Sequence, residues 1–173
     1  MIKALLWDLD NTLLDFPTAE REALRGAFAT FGLGPCPDDL VARYSVLNAG
    51  YWKRLEQGEI TKAWLLPERF RDFFHREGID FTDYDAFNAE YQWRLGGVVA
   101  FHDHSDQLLR DLRGKVKQYL VTNGSRVTQE RKLIRSGLGE LLDGVFISEL
   151  VGAEKPSPVF FQRVLDAIGP VEP

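Results

Sequence analysis

Ala4-Leu5-Leu6-Trp7-Asp8-Leu9-Asp10-Asn11-Thr12-Leu13-Leu14 reads as an apolar strand that ends in two carboxylates one residue apart, followed by a hydroxyl. Buried strands of parallel sheets are continuously apolar, and the carboxyl ends of such strands are where open α/β sheets bind their ligands. Two acids at the rim of an apolar strand are costly unless a cation, a hydrogen-bond network or a reaction needs them. The plainer reading is that Asp8 and Asp10 end the strand and cap a turn. Either way the stretch opens an α/β fold.

Two further segments match it. Gln118–Thr122 and Gly144–Ser148 are short, apolar and bounded by polar or glycine-containing turns, as is Ile2–Asp8. Helical spacing falls at Asp103–Arg113, at Thr128–Ser136 closed by Gly137, and at Pro156–Ile168, where prolines sit in a first turn. Strands alternating with helices predict a parallel sheet with right-handed crossovers. The span 17–96 differs. It has no strand pattern, and helices are expected at Thr18–Phe31, Pro37–Leu55, Thr61–Arg76 and Thr82–Leu95. Phe16-Pro17 and Gly96-Gly97 bracket this span and read as linkers. The expected organisation is a Rossmann-like core of residues 1–16 and 97–173 interrupted by an all-helical insertion at 17–96.

The 173 residues suffice for one core with a small companion, and 45% hydrophobic and 27% charged residues are ordinary for a globular protein. A net charge of -5 argues against a nucleic-acid polymer or an anionic membrane surface as the partner. Cys36 is the only cysteine, so no intrachain disulfide forms, which points to a reducing, cytoplasmic setting. The N-terminal apolar run is cut by Asp8 and is too short for a signal peptide, and no stretch reaches membrane-spanning length.

Three places carry chemistry. The carboxylates Asp8 and Asp10 converge on one small volume, where one can attack a phosphorus atom while the other exchanges protons with the leaving group and then with water. An all-oxygen site of this kind suits Mg2+. Val121-Thr122-Asn123-Gly124-Ser125 ends a strand with a hydroxyl and backbone amides in a tight turn before a helix, which makes an anion cradle or, more plainly, a helix start capped by Ser125 or Thr128. In Gly152-Ala153-Glu154-Lys155-Pro156-Ser157-Pro158, Lys155 at the mouth of a helix can present a positive charge to a phosphoryl group, or be one more solvated lysine.

In that order the segments resemble the first three motifs of the haloacid dehalogenase (HAD) superfamily: Asp-x-Asp-x-Thr, Thr-Asn-Gly, and Ser-Glu-x-x-Gly-x-x-Lys-Pro. The resemblance covers nearly the whole chain. Asp-x-Asp-Asn-Thr-Leu-Leu-Asp-Phe, Val-Thr-Asn-Gly and a helical cap in this position look like the noncanonical pyrimidine nucleotidase branch. The resemblance implies that Asp8 is the nucleophile that becomes an aspartyl-phosphate and Asp10 the general acid/base. It implies that the Asp8 carboxylate and the Asp10 main-chain carbonyl share Mg2+. Thr122 and the Asn123 amide would bind the phosphoryl oxygens, and Lys155 would neutralise developing charge. Asp10 also separates phosphatases from the related dehalogenases, which lack an acid there because halide departure needs no proton. The implied activity is hydrolysis of a small phosphate monoester such as a nucleoside 5′-monophosphate. The alternative is a non-catalytic phosphate-binding protein or an inactive fragment.

The family's fourth motif, Gly-Asp with a further Asp, has no counterpart before Pro173. The strand that carries it pairs with strand one in the family, so strand one is expected to keep an open side or to pair with a second copy as a homo-oligomer. Of the remaining residues, Asp103 or Ser105 is expected to cap a helix, and Tyr51, Trp52, Trp64, Tyr91 and Trp93 to pack the helical insertion, with stacking on a nucleobase as the second role. Arg69 and Arg94 read as surface residues or substrate contacts.

Overall fold

The computed structural model describes residues 2–170. Val171-Glu172-Pro173, within the tail where the fourth-motif strand was looked for, lie outside the described residues. Three parallel strands, β1 (Ala4–Trp7), β2 (Lys117–Thr122) and β3 (Gly144–Ile147), form one sheet in the order β1-β2-β3. Trp7 lies opposite Leu120, and Thr122 opposite Ile147, so the three carboxyl ends open on one side. β2 is the buried strand, with Leu120, Val121 and Thr122 all out of solvent. β1 is not: Leu6 is exposed and its neighbours are half-buried, because among the described residues β1 pairs with β2 alone. Its continuous apolar run therefore marks a strand with an open side, not one enclosed on both faces.

The helices are α1 (Phe16–Thr30), α2 (Asp38–Glu56), α3 (Lys62–Glu77), α4 (Tyr84–Leu95), α5 (Ser105–Leu112), α6 (Arg126–Ser136), the single turn α7 (Ser148–Val151) and α8 (Pro158–Ile168). Two compact units emerge, one of Met1–Ala19 with Gly96–Pro173 and one of Glu20–Leu95. Phe16 and Pro17 are not a linker. They form the first turn of α1, where a proline's missing N–H costs nothing, and the division between units falls inside that helix.

In the sheet unit, Leu9, Leu13 and Leu14 pack with Leu109, Leu120, Leu133, Leu138 and Leu141 on one face. Val121 packs with Phe160 and Val164 in a second cluster. The helical unit is held by aromatic rings. Phe70 stacks on Tyr44 at 5.2 Å between centroids and meets Phe87 and Tyr91 edge-on at 4.8 and 5.1 Å. Tyr51 and Tyr91 are packing residues, whereas Trp64 and Trp93 keep about half their surface in solvent.

A polar chain runs through this aromatic core. Ser45 Oγ and Asn48 Nδ2 donate to the Glu20 carboxylate, Arg69 donates to Asn48 Oδ1 at 2.7 Å and to Asn88 Oδ1 at 3.2 Å, and the Arg69 guanidinium lies over the Phe70 and Tyr91 rings. Arg69 is 1% exposed, so it is an internal strut, not a surface residue. Arg94 reaches Glu90 and Thr30 and fills the space left by Gly26, whose missing Cβ would fall 2.5 Å from its guanidinium.

Burial pushes the Glu20 carboxyl above its ordinary 4.5, against the pull of Ser45, Asn48 and Arg69. A carboxyl held high stabilises the fold below the unfolded value, and that contribution is lost as pH rises through the folded value. The unfolding free energy of Glu20→Gln relative to wild type is thus expected to increase between about pH 4 and pH 7, as read by urea denaturation at each pH.

Candidate active site

The acid pair is held by the leucines around it. β1 ends at Trp7, and the chain then folds back on itself so that the amides of Leu13 and Leu14 both donate to Leu9 O at 2.9 Å. The turn requires a left-handed residue, supplied by Asn11 at φ 62°, a conformation that the short asparagine side chain tolerates. Leu9, Leu13 and Leu14 are buried, which fixes Asp8 and Asp10 on either side of a core residue. Leu13 O accepts from His102 N at 3.0 Å and from Ser105 Oγ at 2.5 Å. The Ser105 hydroxyl is thereby committed to this turn. Neither it nor Asp103 caps α5, which starts behind His104 at φ 57°.

Asp8 and Lys155 meet directly. Lys155 Nζ donates to Asp8 Oδ1 at 2.6 Å and to Val121 O at 2.9 Å. The Lys155 backbone is gripped in turn by the Asn123 side chain, whose Oδ1 accepts from Lys155 N at 2.7 Å and whose Nδ2 donates to Lys155 O at 2.9 Å. Asn123 thus acts through its amide side chain as a clamp between the end of β2 and the loop before α8, a part its place in the Thr-Asn-Gly turn did not reveal. Thr122 is buried at the end of β2 and its Oγ1 accepts from Gln129 Nε2 at 2.7 Å.

Two residues of α6 join the site without having been foreseen. Lys132 Nζ donates to Asp10 Oδ1 at 2.5 Å and Gln129 Nε2 to Asp10 Oδ2 at 2.9 Å. Lys132 is 1% exposed and Gln129 fully buried. A signal was present: Gln129 shares the core-facing side of α6 with Leu133 at i, i+4, so a polar side chain was being placed where an apolar one belongs. Gly124 makes room for it, because a Cβ there would come within 2.2 Å of Gln129 Nε2. The five residues singled out by sequence therefore fall into two hydrogen-bonded groups, Asp8 with Lys155 and Asn123, and Asp10 with Thr122 through Gln129 and Lys132.

The donor chemistry fits a magnesium ion. Asp8 and Asp10 offer only hard oxygen atoms, and the Asp8 side chain is 45% exposed. Both Asp10 carboxylate oxygens are engaged by α6. Mg2+ keeps several waters and is commonly held by one or two carboxylates. Among the described residues no group of three His, Cys, Asp or Glu side chains gathers anywhere.

The haloacid dehalogenase-like hydrolase family matches residues 2–173. The chain belongs to this family. It is a hydrolase, and the HAD resemblance read from Asp-x-Asp-x-Thr is borne out along the whole sequence. HAD-hydrolase YfnB of Bacillus subtilis is 32% identical over 166 residues, which cover 96% of this chain and 70% of that protein. Pyrimidine 5′-nucleotidase PynA of Streptococcus pneumoniae is 34% identical over 170 residues, covering 94% and 68%. The crystal structure of YfnB, described as bound to magnesium, superposes with a TM-score of 0.92 at 31% identity, over 99% of this chain and 76% of that one. Among the described residues no helix is long and apolar enough to cross a membrane.

The two acids of this HAD site stand in unequal surroundings. Removing the charge of Asp10 leaves a buried ammonium without its counter-ion, whereas Lys155 is 19% exposed and can hydrate. Asp10→Asn is expected to lower the unfolding free energy by about 3 kcal/mol. Asp8→Asn should change it by about 1 kcal/mol or less. Urea denaturation of both variants measures the asymmetry.

Proposed function

We propose that the chain hydrolyses a small phosphate monoester in the presence of Mg2+, with a pyrimidine nucleoside 5′-monophosphate as the substrate class. The observation that carries this reading is the pairing of two differently equipped carboxylates. Asp8 is partly open and lies against a single ammonium. Asp10 is held by a lysine and an amide beside the Thr122 hydroxyl. An exposed carboxylate beside a cation serves as a nucleophile, and an immobilised second carboxyl serves to move a proton.

The residues divide the work as follows. A carboxylate oxygen of Asp8 attacks the phosphorus, the ester P–O bond breaks, and Asp10 hands its proton to the departing alkoxide. Water then attacks the phosphorus of the aspartyl-phosphate, Asp10 takes up the water's proton, and the bond from Asp8 to phosphorus breaks to release inorganic phosphate. Lys155 offsets charge on the transferring group, held in place by Val121 O and Asn123. Thr122 and the amides that open α6 face the phosphoryl oxygens, where a helix N-terminus favours an anion. Magnesium, when held by Asp8 and the Asp10 carbonyl, supplies further charge neutralisation at the phosphoryl oxygens. Such a site works by positioning and electrostatics.

Asp10 also argues against halide displacement, which has no use for a proton donor. The name of PynA, a pyrimidine 5′-nucleotidase, supports the substrate class.

Release of inorganic phosphate from uridine or thymidine 5′-monophosphate, followed colorimetrically, tests the proposal. Turnover is expected with Mg2+, and a chelator should abolish it until Mg2+ is restored. Asp8→Asn is expected to lower kcat by at least about a thousandfold. Wild-type protein inert on every phosphate ester, or an Asp8→Asn variant with full activity, would leave phosphate binding without catalysis as the reading.

A further inference from the structure

Lys132 is not explained by packing. Lysine is among the residues least often fully buried, and this one lies 1% exposed on the buried side of α6 with Thr128, Gln129 and Leu133. Its ammonium meets Asp10 Oδ1 at 2.5 Å and sits 5.5 Å from the centroid of the Phe16 ring. Gln129, three residues earlier on the same face, spends both protons of its Nε2, one on Asp10 Oδ2 and one on Thr122 Oγ1, while its own Oε1 is buried with no partner. Turning the amide over would forfeit both of these hydrogen bonds, so the amide is oriented to serve Asp10 and Thr122 together. An orphaned oxygen and a buried ammonium are both costly, and both serve Asp10. Even the glycine of the Thr-Asn-Gly turn contributes, because its missing Cβ is the space through which Gln129 reaches the site.

We propose that Lys132 and Gln129 of α6 are positioning residues that fix the Asp10 carboxyl by both oxygens and lock it to Thr122, so that proton delivery to the leaving oxygen depends on this helix. The inference rests on the phosphatase reading above, since it assigns a purpose to Asp10 within it. A carboxyl gripped at two points by residues one helical turn apart has one orientation instead of several, and general acid catalysis depends on that geometry. The role differs from that of Lys155, which faces Asp8 from the loop after α7.

The test compares two esters with the full chain. A nucleoside 5′-monophosphate has an alkoxide leaving group that needs a proton, while the p-nitrophenolate of p-nitrophenyl phosphate departs without one. Lys132→Met keeps the length of the side chain and fills the same apolar slot. In single-turnover reactions, which read departure of the leaving group before Asp10 serves the attacking water, it is expected to slow nucleoside release by about a hundredfold and p-nitrophenolate release by less than about fivefold. Gln129→Leu should show the same split to a smaller degree. Equal losses on the two esters would make α6 a mere support of the fold and overturn the proposal. A second arm does not depend on turnover: crystal structures of wild type and Lys132→Met are expected to differ in the Asp10 side chain, with the carboxyl turned away from Gln129 and Thr122. An Asp10 that stays in place in the variant overturns the proposal even if the phosphatase reading holds. Wild-type protein inert on both esters ends the phosphatase reading, and the crystal structures then decide the positioning role on their own.

Discussion

Two like charges held one residue apart, with a buried leucine between them, are the constraint to which the sheet unit answers. Asp8 and Asp10 cannot drift apart, because Leu9, Leu13 and Leu14 pin their turn to the core. Each therefore requires a positive partner brought from elsewhere in the chain. Lys155 arrives from the loop after α7 and Lys132 from the middle of α6, each with a single ammonium at 2.5–2.6 Å from its carboxylate. The attraction within such pairs grows as solvent is excluded, and so does the cost of leaving either member alone. The pair at Asp10 is the drier of the two and the pair at Asp8 the wetter. This difference in solvation is what makes two chemically identical side chains unequal.

Parallel pairing in the order β1-β2-β3 is what lets these partners meet. With all three strands pointing the same way, the ends of β1, β2 and β3 deliver Asp8, Thr122 and the segment leading to Lys155 to one edge. Backbone and side-chain hydrogen bonds then interlock the three loops. Asn123 grips the main chain at Lys155, Ser105 grips Leu13, and Gln129 spans Thr122 and Asp10. Each bond crosses between segments distant in sequence, so the loops hold one another in register. The helical unit solves a separate problem in another way, with stacked and edge-on rings around a polar chain from Glu20 to Arg69 that leaves no room for a solvated arginine.

The chain alone went far with the fold. Apolar runs bounded by turns located β1, β2 and β3 to within a residue or two, and the helical spacing of the insertion located α1 to α4 equally well. These features are local: a period of 3.6, a capping glycine or a short apolar run is written in consecutive residues. The errors were also local signals, overridden by distant ones. Ser105 looks like a helix cap until Leu13 O, 92 positions away, takes its hydroxyl. Arg69 looks like a surface residue until Asn48 of α2 and Asn88 of α4 take its guanidinium.

For the site, the sequence by itself determined which chemical groups stand at the strand ends: the acids Asp8 and Asp10, the hydroxyl of Thr122, the amide of Asn123 and the charge of Lys155. Strand ends are local features, and acids or hydroxyls in such places are legible because they are costly there. Only the tertiary structure decided how these groups pair. It set Lys155 against Asp8, turned Asn123 into a clamp, and brought Lys132 and Gln129 onto Asp10 from a helix more than a hundred residues downstream. A buried lysine and a solvated one are the same letter in a sequence. Burial and an ion pair come from the packing of segments that are remote along the chain, and no spacing within α6 announces which carboxylate its lysine will meet.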